Sequence, residues 1–397
     1  MNSKLIGGIL MIAGTSIGGG MLGLPIATAQ GGLGSSAVLF IICWMLMAFT
    51  GLLTLEVNLC FPKNSNIISM ARATLGKPAE FLCWTIYLFF LYSLVSAYIA
   101  AGQDILRGLL VSLNIHIPVW LAGALFVGMF GSIVALGTKQ VDWFNRILMM
   151  IKFGSLFVLM GMIFEHINPE NIISGHAYYL LPAITVVITS FGFSIIVPSM
   201  RAYFHDDVKQ VRMAILIGSF LPLVCYLAWE AAIFGAIPYS GTLGLERLMS
   251  SNQPVTGLVQ SISHYMPAHI VVILTKLFTS ICVLTAFVCV SLSLSDYLAD
   301  GFRLDKDSYE HIIVLLATFV PPLFIAVFYP RAFIMFLSIA GLCCVLLQSI
   351  MPAMMAWHVR YTKPHVQTYQ VWGGKLSLIL SMILSAIIIV ISAFYLF

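Results

Sequence analysis

Residues 5–32 read LIGGILMIAGTSIGGGMLGLPIATAQGG. The stretch is apolar and long enough to cross a bilayer, which takes about 20 helical residues. Its middle nonetheless holds Gly14, Gly18, Gly19, Gly20, Gly23 and Pro25. Glycine inside a helix costs about 1 kcal/mol against alanine, and proline about 3 kcal/mol. Backbone freed from helical pairing at membrane depth is tolerated only where protein buries it or where it lines a cavity. Gly14 to Gly20 is therefore expected to be an opened helix whose amides and carbonyls face a ligand, as in secondary transporters. Three plainer readings compete. A signal peptide would end at Ala27-Thr28-Ala29, but five glycines in its apolar region are foreign to it. A dinucleotide loop would use Gly18, Gly20 and Gly23, but the strand before it and the acidic residue after it are missing. A tight packing face would use small residues; packing alone does not call for Thr-Ser-Ile-Gly followed by proline.

The rest of the chain sets that stretch in a membrane. It is 60% hydrophobic and 9% charged over 397 residues, with mean hydropathy +1.02. A soluble domain carries about 25% charged residues. Apolar runs of about 18 residues or more recur, which favours helices over the strands of about 10 residues found in outer-membrane barrels. The eight cysteines lie almost wholly inside apolar runs, with no C-x-x-C pair. They read as small core residues, so neither a disulfide frame nor a zinc site is expected. No metal, cofactor or nucleic-acid partner is expected; the partners are the lipid bilayer and a small molecule.

Eleven spans are read, at about 5–30, 35–60, 79–110, 118–137, 141–164, 178–203, 208–237, 268–301, 311–329, 331–359 and 373–397. The segment 62–78 is polar enough for the surface, and 238–267 is expected outside with a short helix near 256–264. With the N-terminus cytoplasmic, fourteen Lys and Arg fall inside, Arg303 and Lys306 among them. Only Arg107, Arg247 and Arg331 fall outside. That is a strong positive-inside bias. An odd count puts the C-terminus outside.

Span 6 repeats the motif of span 1. Thr189-Ser190-Phe191-Gly192 is followed by Pro198, as Thr15-Ser16-Ile17-Gly18 is followed by Pro25. Each motif opens a set of five spans, and five being odd, the second set enters from the opposite face. This is the pattern of an inverted repeat with a substrate site at the bilayer midplane. The expected architecture is an all-α integral membrane protein of eleven transmembrane helices. It forms one transporter domain, 1–397, with repeats 1–164 and 178–359 and an additional helix 373–397.

The opening GTSIGGGMLGLP resembles that of the hydroxy/aromatic amino acid permeases, bacterial proton-coupled symporters. So do Leu55-Glu56-Val57, Val141-Asp142-Trp143-Phe144-Asn145-Arg146, Thr189-Ser190-Phe191-Gly192-Phe193, Leu221-Pro222-Leu223 through Trp229-Glu230, and Leu294-Ser295-Asp296-Tyr297-Leu298-Ala299-Asp300. The likeness spans nearly the whole chain in order and leans toward the tyrosine- and tryptophan-specific members. It implies the five-plus-five fold of the leucine transporters, a bacterial inner membrane and a working monomer. It also implies import of aromatic amino acids with protons. Serine or threonine is the alternative substrate, and sodium the alternative coupling ion.

The residues then take roles. Amides at Gly18, Gly19 and Gly20, at the N-terminal end of a second half-helix, suit a substrate carboxylate. Carbonyls near Ala13, Gly14, Thr15 and Ser16, and from Thr189 and Ser190 to Phe191, suit its ammonium. Phe191 and Phe193 flank Gly192 and suit an aromatic side chain, or are ordinary core. The fold resemblance implies a span 3 tyrosine near the carboxylate: Tyr92, with Tyr87 and Tyr98 as competitors. Ser96 and Thr285 are further polar contacts.

Ionisable groups inside a membrane are functional by default, which singles out Lys152, Glu230, Lys276 and Glu56. In related proton-coupled transporters a span 5 lysine takes the place of a sodium ion between spans 1 and 8. The resemblance thus makes Lys152 the proton carrier, close to Thr285 and the span 1 carbonyls. The rival reading is a lysine snorkelling to the cytoplasm. Glu230 is the second candidate, and Lys276 is structural. Arg201, Asp296 and Asp300 are read as an inner gate. The nine histidines lie mostly in loops or at span ends, so no deep histidine relay is expected. A channel would show a charged or polar pore lining, and an enzyme a motif such as H-E-x-x-H or G-x-S-x-G; neither is present.

Overall fold

A computed structural model describes residues 3–396 except 64, 173–174, 252, 267, 303–309, 330–331 and 364–368. Arg303, Lys306 and Arg331 of the charge pattern lie outside the described residues. All regular structure among the described residues is helical. Among the described residues nine helices are long and apolar enough to cross a membrane, and Lys4–Ser16 and Val119–Ala135 are shorter apolar ones.

The first expected span is two helices, α1 (Ser3–Ser16) and α2 (Gly20–Thr28). Gly32 takes a positive φ of 71° and turns the chain into α3 (Gly32–Leu59). The surface segment that follows contains α4 (Ile67–Leu75). A capping box between Asn66 and Ser69 starts it. Gly76, at φ 89°, stops it. The segment is expected on the surface, yet Ile67, Met70, Ala71 and Thr74 are buried at helical spacing. α5 (Lys77–Ser112), α6 (Val119–Ala135) and α7 (Thr138–Phe164) cover the third, fourth and fifth expected spans.

The sixth expected span is the more broken one. A 3₁₀ segment, Ala177–Ala183, leads into α8 (Ile184–Ser190), and a gap separates this from α9 (Val197–Tyr203). α10 (Val208–Ala236) begins at Asp207, whose side chain accepts the amide of Gln210. The stretch expected outside holds two helices where one was expected, α11 (Leu245–Ser250) and α12 (Pro254–Tyr265). α13 (His269–Phe302) and α14 (Glu310–Phe328) follow. The tenth expected span departs from a plain helix. α15 (Ala332–Val345) runs into a π-helical turn at Leu346–Ile350, then α16 (Met351–Trp357), then a second π turn at His358–Thr362. α17 (Gly374–Leu396) closes the chain.

Packing places the two broken spans at the centre. α1 lies on α10, and α2 touches α8 directly. α5 packs against α13 and α15, and α7 against α13.

Candidate functional site

The first break is three residues long. α1 ends at Ser16 and α2 starts at Gly20, with Gly19 as an N-cap that supplies no side chain. The amide of Ile17 still reaches the carbonyl of Ala13 at 2.8 Å, so Ala13 is not an open acceptor as the sequence suggested. Past that point the pairing stops. Among the described residues no backbone carbonyl accepts the amides of Gly18, Gly19 or Gly20. These donors stand at the positive end of a nine-residue helix, where an anion is favoured.

The released carbonyls on the other side of the break are claimed by side chains. Lys152 of α7, 1% exposed, donates from Nζ to the carbonyl of Ile17 at 2.6 Å. It does not snorkel: the amine ends inside the protein on the opened backbone. Tyr226 of α10, fully buried, donates from its hydroxyl to the carbonyl of Ser16 at 2.6 Å. The same hydroxyl lies 2.9 Å from the carbonyl of Ser190.

Ser190 is the last residue of α8, at the second break. Here Phe191 and Gly192 fold back onto the carbonyls of Ile188 and Thr189 at 3.0 and 3.1 Å. The Thr189 carbonyl is therefore committed, contrary to expectation, and its hydroxyl lies 2.8 Å from the carbonyl of Thr185 and 3.1 Å from that of Leu337. The amide of Ser194 is met by Oε1 of Gln348 at 2.8 Å, from the first π turn. The two breaks also touch: a Cβ added to Gly20 would lie 2.7 Å from Oγ of Ser190.

Other expected residues fall differently. Tyr98 faces the break, since a Cβ on Gly19 would lie 2.5 Å from its Cε1. Tyr92 donates its hydroxyl to the carbonyl of Ala317 on α14 at 2.8 Å. Of the three candidates on α5, Tyr98 is thus the one at the glycines. Ser96 and Thr285 turn their hydroxyls onto their own helices, at Tyr92 and at Ile281. Thr15 is exposed and bonds back to Met11, whereas Ser16 Oγ is buried without a partner among the described residues. Gly14 gives room to the Met149 methyl, and Gly18 meets only Ala286 at an ordinary 3.7 Å.

Phe191 and Phe193 are each 1% exposed. Phe191 packs edge-on against Tyr226 and Phe40, with centroids at 5.2 and 6.3 Å. Phe193 packs on Gly51 of α3, where a Cβ would come within 2.8 Å of its ring. Glu230, one turn after Tyr226, is fully buried. Thr28 of α2 donates to its Oε1, and Oε2 has no partner among the described residues. Lys276 is exposed.

The expected inner gate is wired otherwise. Arg201 donates from Nε to Asp206 at 2.7 Å, and from Nη1 to Asn58 and Phe61. Lys63 holds the other oxygen of Asp206. Asp206 sits in a left-handed turn between α9 and α10, which aims its carboxylate back at both cations. The hydrogen bonds from Lys63 and then Arg201 draw its pKa below the usual aspartate value. Arg201 thus pairs with Asp206 rather than with Asp296 or Asp300, and Asp300 is exposed.

Glu56 is part of a different contact. Arg360 meets it through Nε and Nη2, and the amide of Val371 donates to it at 2.7 Å. Sequence reading missed Tyr226, Gln348 and Arg360 in these places. A signal existed for the first two. Tyr226 lies one helical turn from Glu230, on the same face, and Gln348 is a lone amide in an apolar span.

Residues 1–392 match the tryptophan/tyrosine permease family. The chain is 31% identical over 395 residues to tyrosine-specific transport system 2 of Haemophilus influenzae, covering 98% of this chain and 96% of that protein. Tyrosine-specific transport system 1 of the same organism is 31% identical over 390 residues, covering 97% and 96%. The tryptophan-specific transport protein of Pseudomonas aeruginosa is 32% identical over 392 residues, covering 96% and 92%.

Proposed function

This chain belongs to the tryptophan/tyrosine permease family, and from that premise we propose that it imports aromatic amino acids, tyrosine first and then tryptophan, by proton symport. It works by alternating access in a bacterial inner membrane, as a monomer, with eleven crossings, a cytoplasmic N-terminus and a periplasmic C-terminus. The observation that carries the proposal is the paired break. One opened helix offers free amides at Gly18, Gly19 and Gly20, and the carbonyls ending both first half-helices converge on one hydroxyl.

The inverted repeat has support from packing. If spans 1–5 map onto 6–10, the α5–α15 pair corresponds to α13–α7, and α1–α10 corresponds to α8–α3. All four pairs are in contact. The substrate carboxylate takes the glycine amides beside Tyr98, and the ammonium takes the carbonyls around Ser16 and Ser190. Phe191 lies next to that point, with its ring against Tyr226.

Lys152 supports protons over sodium. Its amine holds the Ile17 carbonyl, an oxygen that a sodium ion in the opened stretch would need. The charged amine ties α1 to α7; giving up the proton to the cytoplasm removes that charge and weakens the tie, so α1 swings with the proton cycle. Glu230, buried against Thr28 of α2, is the second group able to hold a proton on this route.

The test is uptake of radiolabelled tyrosine into proteoliposomes with an imposed pH gradient and no sodium, competed by tryptophan, phenylalanine and serine. Accumulation that collapses with the pH gradient, and competition by aromatics ahead of serine, are expected. Uptake that needs sodium would replace the coupling ion, and serine as the strongest competitor would replace the substrate.

A further inference from the structure

The hydroxyl of Tyr226 stands where the two halves of the molecule meet. Ser16 and Ser190 occupy the same position in the repeated Thr-Ser-x-Gly motif, and each is the last residue of its half-helix. Both carbonyls lie within hydrogen-bonding range of one phenolic oxygen, at 2.6 and 2.9 Å. A phenol has one proton and each carbonyl has two lone pairs. Two helix ends of negative polarity therefore share a single donor, and acceptor capacity is left over. Ser16 Oγ, buried and without a partner among the described residues, adds to that surplus. The ring is held independently of the hydroxyl, edge-on to Phe191 and to Phe40 at 5.2 and 6.4 Å.

We propose that Tyr226 is a positioning residue for substrate: its hydroxyl pins the Ser16 carbonyl to the Ser190 carbonyl and sets the spacing at which the two breaks present acceptors to a substrate ammonium group. The inference rests on the transport reading above and deepens it. Without the hydroxyl the two carbonyls repel and drift apart, and an ammonium must gather them itself. The penalty then falls on ligands that carry an amine and spares those that do not.

The experiment compares the full-length wild type with Tyr226→Phe in proteoliposomes. It measures initial tyrosine uptake against concentration, and inhibition by 3-(4-hydroxyphenyl)propionate, which lacks the amine. In Tyr226→Phe the half-saturating tyrosine concentration is expected to rise about tenfold, the scale of one hydrogen bond to a charged group, with the maximal rate per folded transporter retained. Inhibition by the amine-free acid is expected to be unchanged. Equal weakening of both ligands, or a fall in rate with half-saturation unmoved, would overturn the proposal and leave Tyr226 a packing residue. Tyr226→His keeps a ring N–H donor and is expected to fall between the two. If the Phe variant does not assemble, the His variant carries the same comparison, and selective loss for the amine-bearing ligand remains the deciding result. Absence of uptake by the wild type would sink the transport reading itself, and the ammonium assignment with it.

Discussion

Lys152 shows how one side chain carries two opposite readings until its surroundings are known. In the sequence it lies six residues past Arg146, close enough to the expected cytoplasmic end of its span to snorkel. In the fold α7 packs on α13 and turns the amine inward onto the Ile17 carbonyl. Lys152→Ala should abolish uphill accumulation of tyrosine while counterflow down its own gradient continues. Loss of both activities alike would make the lysine a structural strut. Asp206 gives a pH-dependent prediction at the same scale. Its pKa is lowered in the native state, so its contribution to stability is complete above the unfolded value of about 4. That contribution is lost as pH falls through the lower native value. Its carboxylate is 39% exposed, so the effect is small. Thermal unfolding of Asp206→Asn against wild type should show a modest deficit at neutral pH that disappears once the pH falls below the native value.

Glycine placement decides what the elements can do. Gly18 and Gly19 look alike in the sequence, yet only Gly19 abuts a ring. A Cβ there would sit 2.5 Å from Tyr98 Cε1, inside any tolerable contact, whereas at Gly18 it would rest 3.7 Å from Ala286. Gly19→Ala should therefore cost about 1–3 kcal/mol in overpacking and depress uptake, and Gly18→Ala should be close to neutral. Melting temperatures and initial rates of the two variants, measured side by side, check this. The break in span 1 was legible because glycine and proline cluster in an apolar run. The π turn at Leu346–Ile350 was not, because its residues suit an ordinary helix. It is identified by what it presents, the Gln348 side chain that receives the Ser194 amide of the second break. π turns recur at functional sites.

Across the whole molecule, the C-terminal end of α3 is a point where distant parts of the chain are fastened. Asn58 takes Arg201, and Glu56 takes Arg360 and the Val371 amide. The Glu56–Arg360 pair is almost completely buried, with side-chain exposures of 0% and 1%. Removing one partner of such a pair leaves an uncompensated buried charge, at a cost of about 3–5 kcal/mol. Glu56→Gln should lower the unfolding temperature markedly and loosen the segment leading into α17, seen as faster amide exchange near Val371. Glu56→Gln with wild-type stability would show that the pair is dispensable. Glu56 stood out in the sequence as a charge in an apolar span, but its partner lies 304 positions away.

Composition and pattern determined by themselves that the chain is helical and belongs in a membrane, where each apolar stretch lies, and that spans 1 and 6 open at matching motifs. These are local properties: hydropathy acts over one helix length, and a glycine run weakens the helix that contains it. Pairing of side chains with the opened backbone was decided only by the tertiary structure. Tyr98 rather than Tyr92 reaches Gly19, Asp206 rather than Asp296 holds Arg201, and Tyr226 joins Ser16 to Ser190. Each depends on the rotation of one helix against another, and that rotation is set by packing between residues far apart in the chain.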